Sequence, residues 1–249
     1  MRGPREIILE QGFVVLERVY DERECREIRS IFQDAWQRAG RPHASGRFGF
    51  VMHPVLKYAP ELARFYARSQ VIEALREILG DAPRLAHSGG LMSDGARPFT
   101  DWHYHRSDIG HPAAWDPNRT DRPAGIERVL ANSYIDGSND ERGPLLLYPR
   151  RVDEVLAPPH AHRTGDWPGQ KVVYCPPGSV VIFEQSVWHA ARPARAAGFR
   201  HLFGGHYQGW NNPTPHREDN GFDGEALQGY KDALPLFRGL VERAECAVS

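Results

Sequence analysis

Long apolar runs are missing from this 249-residue chain, and no stretch approaches the ~20 residues needed to cross a bilayer. The opening Met1-Arg-Gly-Pro-Arg-Glu6 lacks the apolar core of a signal peptide. Cysteine is scarce: Cys25, Cys175 and Cys246 lie far apart with no C-x-x-C pair. That argues against a disulfide framework or a thiolate zinc site and fits a reducing compartment. Lysine is just as scarce, with Lys57, Lys171 and Lys231 the only three, so arginine carries nearly all the positive charge. Lys+Arg 31 against Asp+Glu 32 leaves no strong field to draw the chain to nucleic acid or membrane. Internal repeats, low-complexity tracts, phosphate-cradling loops, nucleophile elbows and any Ser-His-Asp arrangement are also missing. A soluble, cytoplasmic protein with a small-molecule partner is expected, its oligomeric state unread.

What is present suits one domain spanning 1–249, since single β-barrels and sandwiches reach this length and the apolar share of 41% builds a substantial core. Gly12-Phe-Val-Val-Leu-Glu17 reads as a short buried strand. Asp21, followed three positions later by Glu24, reads as a capping box, and Ile28, Ile31, Phe32, Ala35 and Trp36 recur at helical spacing after it. A further helical stretch starts near Pro60 with Leu62, Phe65 and Tyr66 on one side. Another runs from Ser69 with Val71, Leu75, Ile78 and Leu79 inward, and ends at Gly80.

From about 84 to 207 the apolar runs shorten between Gly, Pro, Asn and Asp. Strands are expected at Arg84–Met92, Phe99–His105, Arg128–Ile135, Leu145–Tyr148, Val172–Tyr174, Ser179–Phe183 and Phe199–Gln208. Helices first and strands afterwards predict an α+β, mainly β chain. Its core is a double-stranded β-helix (a jelly roll, cupin-like) over about 84–208, buttressed by helices over about 20–80. A C-terminal loop (Trp210–Gly224) and helix (Leu227–Ala244) occupy 210–249.

Three segments carry chemistry. In Thr100-Asp-Trp-His-Tyr-His-Arg-Ser-Asp108, strand alternation turns His103 and His105 the same way. In Pro176-Pro-Gly-Ser-Val-Val-Ile-Phe-Glu-Gln-Ser-Val-Trp-His189, a turn leads into an apolar strand, a polar corner and a histidine. Arg200 follows eleven residues later in Phe199-Arg-His-Leu-Phe-Gly-Gly-His-Tyr207. A close histidine pair, a distant histidine and a later arginine match the needs of an iron oxygenase that uses 2-oxoglutarate. Iron(II) takes three facial protein ligands and keeps three positions for cosubstrate and O₂. The far carboxylate of the cosubstrate wants a buried cation with two parallel donors.

The chain resembles the phytanoyl-CoA dioxygenase family of Fe(II)/2-oxoglutarate oxygenases from about residue 10 to 210. Gly12-Phe-Val-Val-Leu with the Asp21 helix is similar to the family's opening. Trp102-His103 resembles the start of its W-H-x-D motif, and Gly143-Pro-Leu-Leu-Leu-Tyr-Pro-Arg150 its N-G-P-L…P-G-S-H segment. Gly178-Ser-Val-Val-Ile-Phe with His189 resembles its G-D…F…H element, and Arg200 falls where its cosubstrate arginine falls. The resemblance implies Fe(II), 2-oxoglutarate and O₂ as cofactor and cosubstrates, and hydroxylation, desaturation or cyclisation of a small molecule, with a role in secondary metabolism suggested by the family's breadth.

The family's aspartate is replaced by His105. Either His103, His105 and His189 form a three-histidine centre, the favoured reading, or Asp108 or Asp101 supplies a carboxylate. A small residue at this position would suit halogenation; histidine does not. Two alternatives stand beside the oxygenase: a three-histidine enzyme that does not use 2-oxoglutarate (an O₂-dependent dioxygenase, a zinc lyase or a hydrolase), and a non-catalytic binding relative. Arg47, Phe48, Phe50 and His53 are candidate pocket residues. By alternation His206 shares the face of Arg200 while His201 points away. His160-Ala-His162, flanked by Pro158-Pro159 and Gly165, reads as a solvated loop. Gly89-Gly90 and Gly204-Gly205 read either as close approach to a ligand or as bulges.

Overall fold

The computed structural model describes residues 2–46, 48–105 and 115–212. Arg47, Asp108, Cys246, the expected helix Leu227–Ala244 and most of the loop before it lie outside the described residues. The chain opens with α1 (Pro4–Gln11) and β1 (Phe13–Leu16), then α2 (Glu22–Arg38) and β2 (Phe50–Met52). Three helices follow: α3 (Val55–Tyr58), α4 (Ala63–Tyr66) after a 3₁₀ turn at Pro60–Leu62, and α5 (Ser69–Leu79). The strands are β3 (Pro83–Ser93), β4 (Thr100–His103), β5 (Arg128–Tyr134), β6 (Leu145–Leu147), β7 (Lys171–Val173), β8 (Ser179–Glu184), β9 (His189–Ala191) and β10 (Arg200–Gly209). Among the described residues no helix is long and apolar enough to cross a membrane.

The Asp21 capping box forms as expected: Asp21 Oδ1 accepts from Glu24 N at 2.8 Å, and Glu24 returns the bond to Asp21 N at 2.9 Å. Gly80 closes α5 in the left-handed conformation. The helical buttress begins earlier than the sequence suggests, at Pro4. Three adjacent apolar residues, Ile7-Ile-Leu9, gave that segment no helical period, and only Ile8 is fully buried. Strand β9 also escaped the sequence, because His-Ala-Ala has little strand preference of its own and is ordered by its neighbours β4 and β6.

Antiparallel pairing gives two sheets, ordered β1-β8-β5-β10-β3-β2 and β4-β9-β6-β7. They pack as a two-sheet jelly roll, mostly antiparallel, with the helices on the outer face of the larger sheet. Alternation sorts the side chains. Val129 and Ala131 of β5 join the helical cluster, whereas Leu130 and Tyr134 join the inner cluster with Leu145, Leu147, Phe183 and Leu202. Covered on both faces, β8 is buried throughout. On the far side of the smaller sheet Trp102, Tyr104, Trp167 and Trp188 form an aromatic layer, with Trp102 stacked on Trp167 at 4.1 Å.

The glycine pairs serve the protein's own packing. Gly204 pairs Gly89 in unbroken register, and the bulge falls instead between His206 and Tyr207. A Cβ on Gly90 would lie 2.5 Å from Val55 Cγ2, and one on Gly205 2.3 Å from Leu85 Cδ1. Phe50, expected in the pocket, packs on the helical core, because its register with Met92 turns it outward.

Candidate metal centre

His103 ends β4 and stands opposite His189, the first residue of β9, in the β4–β9 register. Beyond β4 the chain stays extended: His105 N donates to Gln185 O at 2.7 Å, which ties it to the corner that leads to His189. Trp102 and Tyr104 alternate away into the aromatic layer, so His103 and His105 face inward together. The ring centroids lie 4.1 Å apart for His103–His189, 5.0 Å for His103–His105 and 4.8 Å for His105–His189. One ligand nitrogen from each falls within 4.8 Å of the others.

The tautomers suit a metal. His103 Nδ1 lies 2.7 Å from Asp101 O and His189 Nδ1 lies 3.0 Å from Val187 O. A carbonyl only accepts, so both Nδ1 atoms carry hydrogen and both Nε2 lone pairs point into the cluster. His105 Nε2 sits 3.1 Å from His189 Nε2. Adjacent positions around an octahedral ion with bonds of roughly 2.1 Å are separated by about 3 Å, so the pair fits two neighbouring ligands of one ion. The donor set therefore fits iron and equally other imidazole-loving divalent ions. Among the described residues the cluster contains no carboxylate. Asp101 contributes its backbone carbonyl to His103 instead, and Asp108 lies outside the described residues.

The corner that presents His189 is built around a buried acid that the sequence reading did not single out. Glu184, fully buried at the end of β8, accepts from Ser186 N at 2.9 Å and from Ser186 Oγ, with Arg150 Nη1 3.9 Å away. Val187 N closes the turn on Glu184 O at 3.0 Å. Gly12 packs against this corner: a Cβ there would lie 2.5 Å from Val187 Cγ2.

Arg200 is 6% exposed, and its guanidinium lies 5.3 Å over the ring of Tyr134. Tyr134 sits on the inner face of β5, where burial pushes its pKa up to about 12 against the opposing charge of Arg200, so the phenol keeps its proton. Arg97 adds a second buried guanidinium, pulled down to about 9 by burial and then by the charge of Arg200. It is spent on structure: it donates to Thr100 Oγ1 at 3.1 Å, to Pro98 O and Gly143 O, and to Arg192 O. Among the described residues no carboxylate pairs with Arg200, although a second buried cation, Arg97, lies near it.

The remaining histidines divide as alternation predicts. His206 points inward, its ring 5.4 Å from that of His105. His201 turns outward to α2, where its Nδ1 lies 2.9 Å from Asp136 Oδ2. Burial would raise the Asp136 pKa, yet its bonds from His201 and Arg29 hold it below the usual carboxylate range. His160 and His162 sit in a loop against backbone carbonyls, Pro168 O at 3.0 Å and Thr164 O at 2.7 Å. Phe48 lies at the surface, 43% exposed, while His53 reaches the inner face of β3 beside His87. The sequence reading also passed over Tyr134, Arg97 and His87, which carry no motif; only inward strand alternation points to Tyr134 and His87.

Comparison with known proteins bears on the family and the fold. The model of the phytanoyl-CoA dioxygenase (PhyH) family matches residues 8–202. No curated protein matches by sequence. Among solved structures, HygX from Streptomyces hygroscopicus with nickel and 2-oxoglutarate bound is 16% identical, with a TM-score of 0.63 over 86% of this chain and 94% of that one. EctD from S. alaskensis with 2-oxoglutarate and 5-hydroxyectoine is 15% identical, with a TM-score of 0.65 over 90% and 81%. SnoK, an alpha-ketoglutarate-dependent carbocyclase from nogalamycin biosynthesis, is 19% identical, with a TM-score of 0.62 over 88% and 92%. At these identities the likeness is one of fold.

Proposed function

The chain belongs to the phytanoyl-CoA dioxygenase family of iron- and 2-oxoglutarate-dependent oxygenases, and from that membership we propose that His103, His105 and His189 hold one Fe(II) while Arg200 holds the far carboxylate of 2-oxoglutarate. The observation that carries the assignment is the pairing of two features on the inner faces of one jelly roll. Three imidazoles converge, two of them with Nε2 aimed by backbone carbonyls, and a buried arginine with no carboxylate partner among the described residues faces the same interior. Charge supports the pairing. Three neutral imidazoles leave the ion's two positive charges uncompensated by protein; one carboxylate of a dianionic cosubstrate offsets one of them and the other neutralises Arg200.

Iron with 2-oxoglutarate and O₂ supplies an oxidant able to remove hydrogen from an unactivated C–H bond. The chain's part is to place and to exclude. Asp101 and Val187 carbonyls fix two imidazole orientations, and the Glu184 corner sets the third segment against β4. Tyr134, protonated, stands beside the guanidinium as a donor to the same carboxylate. The aromatic layer of Trp102, Trp167 and Trp188 seals the outer face of the smaller sheet against water. The product is a hydroxylated, desaturated or cyclised small molecule of biosynthetic metabolism.

The test is anaerobic titration of the apoprotein with Fe(II) and then 2-oxoglutarate. A weak visible charge-transfer band that needs both supports the assignment, and its loss in Arg200→Ala with metal binding intact places the cosubstrate. Tight metal binding with no band would move the reading to a three-histidine enzyme that leaves 2-oxoglutarate alone.

A further inference from the structure

The end of β10 that presents Arg200 is held from outside the jelly roll. The ladder between β5 and β10 stops at Tyr134 and Leu202, short of Arg200, the first residue of its strand. Ile135 N then donates to His201 O at 3.2 Å, and past that point a side chain replaces the missing strand. Asp136 Oδ2 accepts from His201 N at 2.6 Å and from His201 Nδ1 at 2.9 Å. One carboxylate oxygen thus fixes both the backbone and the ring of the residue that follows Arg200. Helix α2 secures the carboxylate in turn. Ile28, Phe32 and Ala35 bury its apolar stripe, and Arg29 and Gln33, one turn apart, lie beside that stripe. Arg29 donates from Nε to Asp136 Oδ1 at 2.7 Å and from Nη2 to Ile135 O at 3.1 Å. Gln33 Nε2 lies 3.4 Å from His201 Nε2. Arg29 therefore grips the end of β5, and Gln33 the start of β10.

We propose that Asp136, braced by Arg29, is a positioning residue for the cosubstrate: it fixes the backbone that carries Arg200 and so sets how tightly the far carboxylate of 2-oxoglutarate is held. The inference rests on the oxygenase reading, in which Arg200 anchors that carboxylate.

The effect runs through the main chain. His201 turns to α2, where its ring meets Phe32 at 5.6 Å, while Arg200 turns inward over Tyr134 at 5.3 Å. The same two strand ends therefore carry the network on one side and the guanidinium and phenol on the other. A planar fork grips a carboxylate in a narrow geometry, unlike a point charge, and a small displacement of a placed group costs a large factor. An amide has one acceptor oxygen where a carboxylate has two. Asp136→Asn must therefore turn an NH₂ group either toward Arg29 or toward the two His201 donors.

The experiment is anaerobic calorimetric titration of the Fe(II)-loaded protein with 2-oxoglutarate and with pyruvate, a 2-oxo acid that lacks the far carboxylate. The wild type should bind 2-oxoglutarate more tightly by about 10-fold or more. Asp136→Asn should narrow that gap by about 10-fold and leave pyruvate affinity unchanged, which shows that the variant is folded and its metal site intact. Arg29→Leu, which spares both His201 bonds, should narrow the gap by about threefold. In an Arg200→Ala background Asp136→Asn should cost nothing further, since the group it positions is gone. A wild-type gap retained in both single variants, or an equal loss of affinity for the two acids, overturns the positioning role alone. A wild type that binds the two acids equally removes Arg200 as the anchor, and this inference with it.

Discussion

His103-x-His105 and His160-x-His162 share a spacing, and the fold gives them opposite fates. The first pair sits at the end of β4, where Trp102 and Tyr104 bury themselves on one face and force both imidazoles onto the other. The second lies in a loop, each ring turned to a nearby carbonyl. Same-side projection alone does not make a ligand pair; a third donor must arrive from far along the chain, and only the first pair has His189 across from it. The two pairs are nonetheless connected. The carbonyl of His162 accepts from Trp167 Nε1 at 2.8 Å, and Trp167 stacks on Trp102 beside His103. The loop pair thus supports the outer layer of the sheet whose inner face carries the histidine cluster.

Substitutions test how sharply the two regions differ. The largest effect is expected from His103→Ala or His189→Ala, which should weaken Fe(II) or Co(II) binding by more than about 100-fold, measured by metal titration. His105→Ala should cost about 10- to 100-fold, and His105→Asp should restore binding, while Asp101→Ala and Asp108→Ala leave it within about twofold. A large loss in Asp108→Ala with none in His105→Ala would hand the third ligand to the acid.

Arg200→Lys, on the inner face of β10, should weaken 2-oxoglutarate by about 10-fold, about 1.4 kcal/mol, with metal affinity unchanged, because lysine lacks the two parallel donors. On the outward face of the same strand His201 bonds Asp136, and Asp136→Asn should cost about 1–3 kcal/mol of folding stability by denaturant titration and leave metal affinity alone. The sign with pH follows from its depressed pKa. Its contribution is present above the unfolded carboxylate value of about 4 and is lost as pH falls through the lower folded value, so the wild-type advantage over the variant should shrink below about pH 4. The smallest effect belongs to the second pair. His160→Ala and His162→Ala should leave metal affinity within about twofold and change stability by no more than roughly 0.5 kcal/mol.

Most of the site was legible because its residues stand on strong local signals. The Asp21–Glu24 box, the helical periods of α2 and α5 and the alternating run through β10 each set an element before any tertiary contact. The sequence pointed to His103, His189 and Arg200 together through their order along the chain. Residues whose role depends on what lies across the cavity were not legible. Tyr134 matters because Arg200 lies over it, Arg97 because burial and a second cation surround it, and Glu184 because its buried turn aims His189. Phe50 was misplaced for the same reason: the β2 register, invisible in three residues, turns it to the helices.

By itself the sequence determined the mainly β frame, the inward pair at and just beyond the end of β4, the distant histidine and the arginine that follows it, because strand alternation and capping act over a few residues. The tertiary structure decided that His105 joins the histidine cluster, that Gly89 admits His53, and that Arg200 is buried beside Tyr134 with no carboxylate partner among the described residues. Those outcomes depend on register, burial and close approach between segments far apart in the chain, and no local pattern encodes them.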